Sequence, residues 1–277
     1  MRPLPHGPHR TSLTFPLTSL VITSRQNPII QELKERRAPD GSREIFLEGL
    51  HLLEEALKSH TLIDQLVVIP ALMEMDLVKQ ASRNAKKIIQ VSAYVMKTLS
   101  DVEAPQGITA LCRKPQSDWA AVVSHSPSPL VIMDGVQDPG NAATLLRTAE
   151  AAGAAGILTT PGTAHLFSPK ALRGAMGATL RVPILEHVSI EEIAQKISQA
   201  GYSLVGSSGS EGVLYTALDW KKPWALVLGQ EGAGMSESWC PLCSTFVRIP
   251  MKKPVESLNV AASAAVLLYE SARQRGN

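Results

Sequence analysis

Short apolar runs alternate with amphipathic ones along most of this chain, and that alternation restricts the fold more than any other feature. "LVIMDG" (130–135), "AGILTT" (155–160) and "WALVLG" (224–229) are continuous and apolar, as strands buried on both faces must be. Between them lie segments of helical period. In the segment 139–152, Ala142, Leu145, Ala149 and Ala152 form one buried stripe. Strands alternating with helices predict a parallel sheet with right-handed crossovers. Ligands of such sheets bind beyond the carboxyl ends of the strands. The fold class is therefore α/β.

The alternation breaks once. "KPQSDWAAVVSHSPSP" (114–129) loses its period and gains Ser and Pro, which reads as a linker. Three parts follow from it: a smaller α/β domain over 22–113, a linker over 114–128 and a larger α/β domain over 129–277. The first 20 residues hold four prolines and no acid, so 1–21 is expected to be a disordered extension. The first domain predicts strands at "EIFLEG", "IDQLVVIP", "KKIIQVS" and "GITALCR". Its helices fall at "PIIQELKERR", "LHLLEEALKSH", "LMEMDLVKQASRN" and "AYVMKTLSD". The second adds strands at "RVPILE", "YSLVG" and "TFVRIP" and ends on a helix over 258–273. Between "YSLVG" and "WALVLG" the pattern is unreadable.

Composition excludes several classes. No run approaches the roughly 20 apolar residues of a membrane span. A net charge of +2 permits a nucleic-acid partner without requiring one. Three cysteines, Cys112, Cys240 and Cys243, fit a reducing, cytoplasmic setting better than a disulfide framework. "CPLC" (240–243) is a lone CxxC. A structural zinc site needs four ligands and no second pair is near, so both cysteines read as packing residues and no metal is expected.

Three loops at strand ends stand out. In "DGVQDPGNAATLLRTAEAAG", Asp138 is a plausible helix cap and Pro139 suits a first helical turn. Arg147 points away from the buried stripe, and by itself reads as a solvated arginine. "LVLGQEGAGMS" (226–236) packs three glycines and Glu231 into six residues. It is neither the GxGxxG of dinucleotide-binding folds nor a P-loop, and alone it could be a tight turn. "RIPMKKPVESLNVAASAAVLLYE" (248–270) places Ser257 and Asn259 at the mouth of an apolar helix. Helix capping explains one of these two more easily than both.

Taken in order, these loops resemble the three motifs of SpoU-type RNA 2′-O-ribose methyltransferases of the SPOUT superfamily. The residues that carry it are Asn141 and Arg147, then Gly229-x-Glu231-Gly232, then Ile249-Pro250-Met251 and Glu256-Ser257-Leu258-Asn259-Val260. "SPKALRGAMGATLRVPI" (168–184) resembles the segment between the first two motifs, and "RQNPII" with "FLEGLHLLEEAL" is similar to the substrate-binding domain related to the ribosomal protein L30e. The resemblance implies a deep trefoil knot, S-adenosylmethionine as methyl donor, a homodimer through the C-terminal domain, and an RNA substrate, ribosomal RNA before the alternative of transfer RNA. It makes Asn141, Arg147, Glu231, Ser257 and Asn259 catalytic, with Asn141 orienting Arg147 or the ribose. It assigns Leu228, Gly229, Gly234, Ile249, Met251 and Leu258 to the donor. RNA contacts are expected from Arg25, Asn27, Arg36, Arg37 and Arg43, and from Lys170 and Arg173. Gln230 departs from the Asn or Ser usual before the Glu. A catalytically silent knotted RNA-binding protein is the competing reading.

Overall fold

The computed structural model describes residues 20–37, 42–123 and 128–276, so most of the expected N-terminal extension lies outside the described residues. The first half contains α1 (Pro28–Glu35), β1 (Glu44–Glu48), α2 (Leu50–Lys58), β2 (Ile63–Val68), α3 (Asp76–Asn84), β3 (Ala85–Gln90), α4 (Ala93–Thr98) and β4 (Ile108–Arg113). Its four strands run in the order β1-β4-β2-β3. Only β2 and β3 are parallel; β4 is antiparallel to both its neighbours. The helix expected from Leu72 starts at Asp76, because Pro70–Leu72 forms a separate 3-10 turn.

The second half runs β5 (Leu130–Asp134), α6 (Pro139–Ala151), β6 (Gly156–Thr159), α7 (Pro169–Ala175), α8 (Ala178–Arg181) and β7 (Ile184–Leu185). It continues through α9 (Ile190–Gln199), β8 (Ser203–Ser208), β9 (Val213–Leu214), β10 (Trp224–Gly229), β11 (Thr245–Arg248) and α10 (Val260–Arg275). Here every strand pair is parallel, in the order β7-β6-β5-β10-β8-β11-β9. β5 and β10 are buried along their whole length, as their apolar runs require. Caps set the helix starts: Asp138 accepts from the Asn141 amide, Ser168 from Ala171 and Ser189 from Glu192. The chain builds β6 and β7 on one side of β5. It then crosses to lay β8 on the other side, with β10 inserted between them. That reversal is where a doubly wound sheet opens a crevice.

The predicted linker is only partly one. Trp119–Val123 forms a short helix, α5, whose Val122 is fully buried. Val122 fills the space above Gly156, where a Cβ would lie 2.9 Å from its Cγ1. Ser117 Oγ accepts from the Ile184 amide, and Trp119 Nε1 donates to Glu192. A five-residue helix with one apolar anchor is too short to show a period, which is why the stretch reads as irregular. The two halves meet along a continuous apolar core that includes Leu52, Leu53, Ala171 and Leu172. Arg181 bridges Glu55 of the first half and Glu150 of the second. Gly177 (φ 88°) allows this approach, since a Cβ there would meet Glu55 Cβ at 2.8 Å. No helix among the described residues is long and apolar enough to cross a membrane.

Candidate active site

The site is built where β10 ends. Gly229 is followed by a turn in which Gln230 and Gly234 exchange backbone hydrogen bonds of 3.1 and 3.0 Å. Gly232 and Gly234 turn the chain through the left-handed region. Gly229 itself is fixed by crowding: a Cβ there would lie 2.1 Å from Gly234 C and Met235 N. The returning strand of the turn is anchored on β5, where Asp134 accepts from the Ser236 amide (2.8 Å) and the Thr160 hydroxyl (2.8 Å).

Three residues from three separated loops converge on this turn. Asn141 Nδ2 donates to Glu231 Oε1 at 2.6 Å. Asn259 Nδ2 donates to the same oxygen at 2.5 Å and to Asn141 Oδ1 at 3.1 Å. Asn259 Oδ1 meanwhile accepts from the Ala261 and Ala262 amides and so caps α10. Asn259 is thus both helix cap and site residue, while Ser257 takes no part in the cap. Asp138, beneath Asn141, is held below the usual carboxylate range by the Lys170 ammonium and by the Asn141 amide.

A cavity of about 360 Å³ opens beside this cluster, beyond the carboxyl ends of β8, β10 and β11. All six residues expected at the donor line it: Leu228, Gly229, Gly234, Ile249, Met251 and Leu258. Glu231 and Ser257 line it too. Ser207, Ser208 and Gly209 at the end of β8 complete the wall. Sequence reasoning missed them, although "SSGSEG" directly after an apolar run was a usable sign of a strand-end loop.

Arg147 stands apart. It is exposed on α6, makes no hydrogen bond or ion pair with a described residue, and does not line the cavity of its own chain. Within one chain Asn141 makes no hydrogen bond to Arg147, so of its two expected roles, orienting Arg147 or the ribose, the first has no contact inside the chain. Six residues separate them, about 9 Å of helix rise and two-thirds of a turn away in rotation, and the Asn141 amide is spent on Glu231 and Asn259.

Several residues expected to meet RNA are tied up inside the chain. Arg36 grips Glu44 with two nitrogens and Glu32 with a third, which holds its guanidinium above its ordinary pKa, Glu44 contributing most. Arg37 pairs with Asp101 at 2.5 Å and lies over the Phe46 ring. Arg173 pairs with Glu48 at 3.6 Å, and Lys170 with Asp138 at 2.8 Å. Asn27 caps α1 by accepting from the Ile29 amide. Only Arg25 and Arg43 remain simply exposed. A run of charges shows that partners are needed, not whether they are inside or outside the molecule.

The cysteine reading also needs amendment. Cys112 is buried and its thiol pushed up to about 12 by that burial. Cys243 packs against the core and is pushed up to about 11, mainly by burial, but Cys240 is exposed and is no packing residue. A different group, His165, Glu186 and His187, brings its side-chain ligand atoms within 4.8 Å of one another. Its only sequence trace is the dipeptide Glu186-His187, with His165 far away in the chain.

An open parallel sheet with a cavity at its strand reversal, rimmed by amides and a carboxylate, is the arrangement of ligand-binding α/β enzymes. Known proteins narrow this. The SpoU rRNA Methylase family matches residues 128–269, and the MRM3-like substrate binding domain matches residues 28–110. The chain belongs to the SpoU rRNA methylase family. It is 28% identical over 256 residues to the 23S rRNA (guanosine(2553)-2′-O)-methyltransferase RlmP of Bacillus subtilis, covering 90% of this chain and 97% of that one. It is 34% identical over 201 residues to the 23S rRNA (guanosine-2′-O-)-methyltransferase RlmB of Bordetella pertussis, covering 71% of this chain and 82% of the other. The AdoMet-bound rRNA methyltransferase of Sinorhizobium meliloti superposes with a TM-score of 0.82 at 28% identity, over 92% of this chain and 98% of that one.

Proposed function

We propose that this protein is an S-adenosylmethionine-dependent RNA 2′-O-ribose methyltransferase acting on ribosomal RNA. One observation carries the reading: Asn141, Glu231 and Asn259, from three loops as much as 118 residues apart, form one hydrogen-bonded cluster at the rim of the cavity. A charge-stabilised scaffold there suits a reaction whose catalysis rests on positioning. The names of the relatives, both 23S rRNA enzymes, favour ribosomal over transfer RNA.

The cavity fits the methyl donor on two grounds. Its size lies within the range of small-ligand sites, and the crowding at Gly229 leaves bare backbone at that point of a wall also built from apolar side chains. Leu228, Gly229, Gly234, Ile249, Met251 and Leu258 would hold the donor. When bound, it supplies an electrophilic methyl group whose transfer to a ribose oxygen neutralises a sulfonium. The chain must align the incoming hydroxyl with that methyl and withdraw its proton. Leu228, Val247 and Ile249 give the cavity an apolar floor, which favours loss of positive charge. Glu231, doubly bonded to amides, holds the rim closed. Ser257 offers a hydroxyl to the bound substrate.

Arg147 then acts across a homodimer. It does not line its own cavity, and α6 packs on α10, whose outer face exposes Tyr269 and Ala262, while Ala261 and Ala264 face the core. In this arrangement Arg147 of one subunit meets the ribose or its phosphate in the other subunit's site and stabilises the developing oxyanion. Residues 249–259 carry the chain from β11 back to α10 on the β5 side of the sheet. The passage from β11, paired with β8, to α10, packed on α6, supports reading this segment as part of a trefoil knot. The 22–113 half serves as the RNA-binding domain, with Arg25 and Arg43 exposed among the cations expected to contact RNA.

The reading is tested by incubating the protein with radiolabelled S-adenosylmethionine and RNA from cells lacking it, then mapping ribose methylation. A label that enters transfer RNA alone, or no RNA, overturns the proposal. Mixing Arg147→Ala with Glu231→Ala subunits, each inactive alone, tests the dimer: activity restored on mixing supports it, and none returning despite mixed-dimer formation rejects it.

A further inference from the structure

We propose that His165, Glu186 and His187 bind one divalent transition-metal ion of the zinc class, at the opposite edge of the sheet from the methyl-donor cavity. They lie on the loops that follow β6 and β7, the two strands farthest from β8 and β11 on that side. His187 Nε2 is 3.2 Å from His165 Nδ1, and His165 Nδ1 is 3.8 Å from Glu186 Oε1. Donors around a tetrahedral zinc with bonds of about 2.0–2.1 Å stand about 3.3 Å apart. The pair of imidazoles already has that spacing, and the carboxylate oxygen, within 4.8 Å of both nitrogens, has to draw closer.

The bland alternative is a hydrogen bond between two histidines. It accounts for two nitrogens sharing one proton. It leaves unused the nearness of Glu186 Oε1, which keeps a second lone pair beyond the one bonded to the Leu166 amide and lies within 4.8 Å of both histidine nitrogens. Three such atoms together form a set that a cation can join. The set is also held in position from behind. Glu186 Oε1 accepts from the Leu166 amide at 2.9 Å, and Oε2 from Lys114 Nζ at 2.6 Å. His187 sits in the left-handed region (φ 58°), with its amide donated to Thr159 Oγ1 at 3.0 Å. A non-glycine residue kept there is over-determined by its surroundings. Two imidazoles and a carboxylate, with one position left for water, suit zinc better than calcium or magnesium, which prefer oxygen.

Lys114 is the counterweight. Its ammonium partly neutralises Glu186, so it weakens the site, and a neutral residue at 114 should strengthen it. Bound metal would clamp the loops after β6 and β7 to each other.

The test uses the full chain, treated with a chelator, desalted, and titrated with zinc chloride by calorimetry; cobalt(II) serves as an optical probe of a tetrahedral N/O site. Wild type is expected to bind one zinc per chain, and to gain roughly 5 °C in Tm at a hundredfold excess over Kd. His165→Ala, His187→Ala and Glu186→Gln should each lose more than about a hundredfold in affinity, beyond what outer-shell changes cost. Lys114→Met should bind more tightly, and the Cys240→Ser, Cys243→Ser double variant like wild type. Absence of stoichiometric binding overturns the proposal. So does loss of binding in the cysteine variant, or wild-type binding in folded histidine variants. Should the histidine variants misfold, the Lys114→Met and cysteine results still decide.

Discussion

Two polar clusters tie together loops distant in sequence, and they differ in setting more than in composition. At the cavity rim, Asn141, Glu231 and Asn259 are joined by neutral amide donors around one exposed carboxylate. At the junction of the halves, Glu48 lies between Arg37 and Arg173, with Ser100 donating to it, and all three charged groups are largely covered. The rim cluster has formal charge to spare and faces open space. The junction cluster spends its charges on itself. Arginines announce themselves in a sequence, yet the ones that look most like an RNA surface are paired within the chain, while the cavity rim is made of amides and one carboxylate.

The comparison can be broken most sharply at Arg147, the exposed arginine outside those pairings. Arg147→Ala should lower turnover by about a hundredfold or more, the usual scale of a positioned charge or acid–base group, with donor affinity nearly intact. Single-turnover kinetics beside calorimetry with S-adenosylhomocysteine would show it, and near-normal turnover removes Arg147 from the chemistry. Gly229→Ala comes next. A methyl group 2.1 Å from backbone must push the 230–234 turn aside, so donor affinity should fall at least about tenfold, while far-UV dichroism stays native.

Asn259→Ala removes a cap and a rim donor together. Loss of the cap should cost about 1 kcal/mol, or roughly 2–4 °C in Tm for a domain this size. Asn259→Asp separates the two roles: it can still cap, but it sets a carboxylate against Glu231, so methyl transfer should fall while Tm recovers. The Arg36→Ala, Arg37→Ala double variant probes the pairings. Breaking these half-covered pairs should destabilise the protein by about 1–2 kcal/mol, discounted for their partial exposure. The salt dependence of RNA binding should stay unaltered, because these cations are already paired. A flattened salt slope at full stability would return them to the RNA surface.

The smallest effect concerns Lys170. Its ammonium and the Asn141 amide depress the Asp138 carboxyl. A depressed carboxyl contributes stability that is present above its unfolded value of about 3.9 and fades as pH falls through the lower folded value. Lys170→Met should move that loss to higher pH, visible as a midpoint at higher pH in an NMR titration of Asp138. An unchanged midpoint would mean the pair is too solvated to matter.

How legible this was depended on periodicity. Strands buried on both faces, such as Leu130–Asp134 and Trp224–Gly229, declare themselves, as do helices with a stripe and a cap. That Leu228, Gly229 and Ile249 would share one cavity wall was readable because resemblance fixed the loops and the sheet rule fixed their end. Three things were not. α5 has one apolar anchor, Val122, too few for a period. The Ser207–Gly209 wall lacked a chemical signature of its own. His165 met Glu186 and His187 only because β6 and β7 are neighbours, a pairing that no local pattern encodes.

The double employment of Asn259 narrows the alphabet at that position. Its Oδ1 must receive two amide protons at the start of α10, which leaves Nδ2 no choice but to face Glu231. Aspartate can receive but not give, serine is too short to reach across, and glutamine carries the amide past the cap. Helix entry and rim chemistry are thereby locked into a single side chain, so neither can drift in evolution without the other.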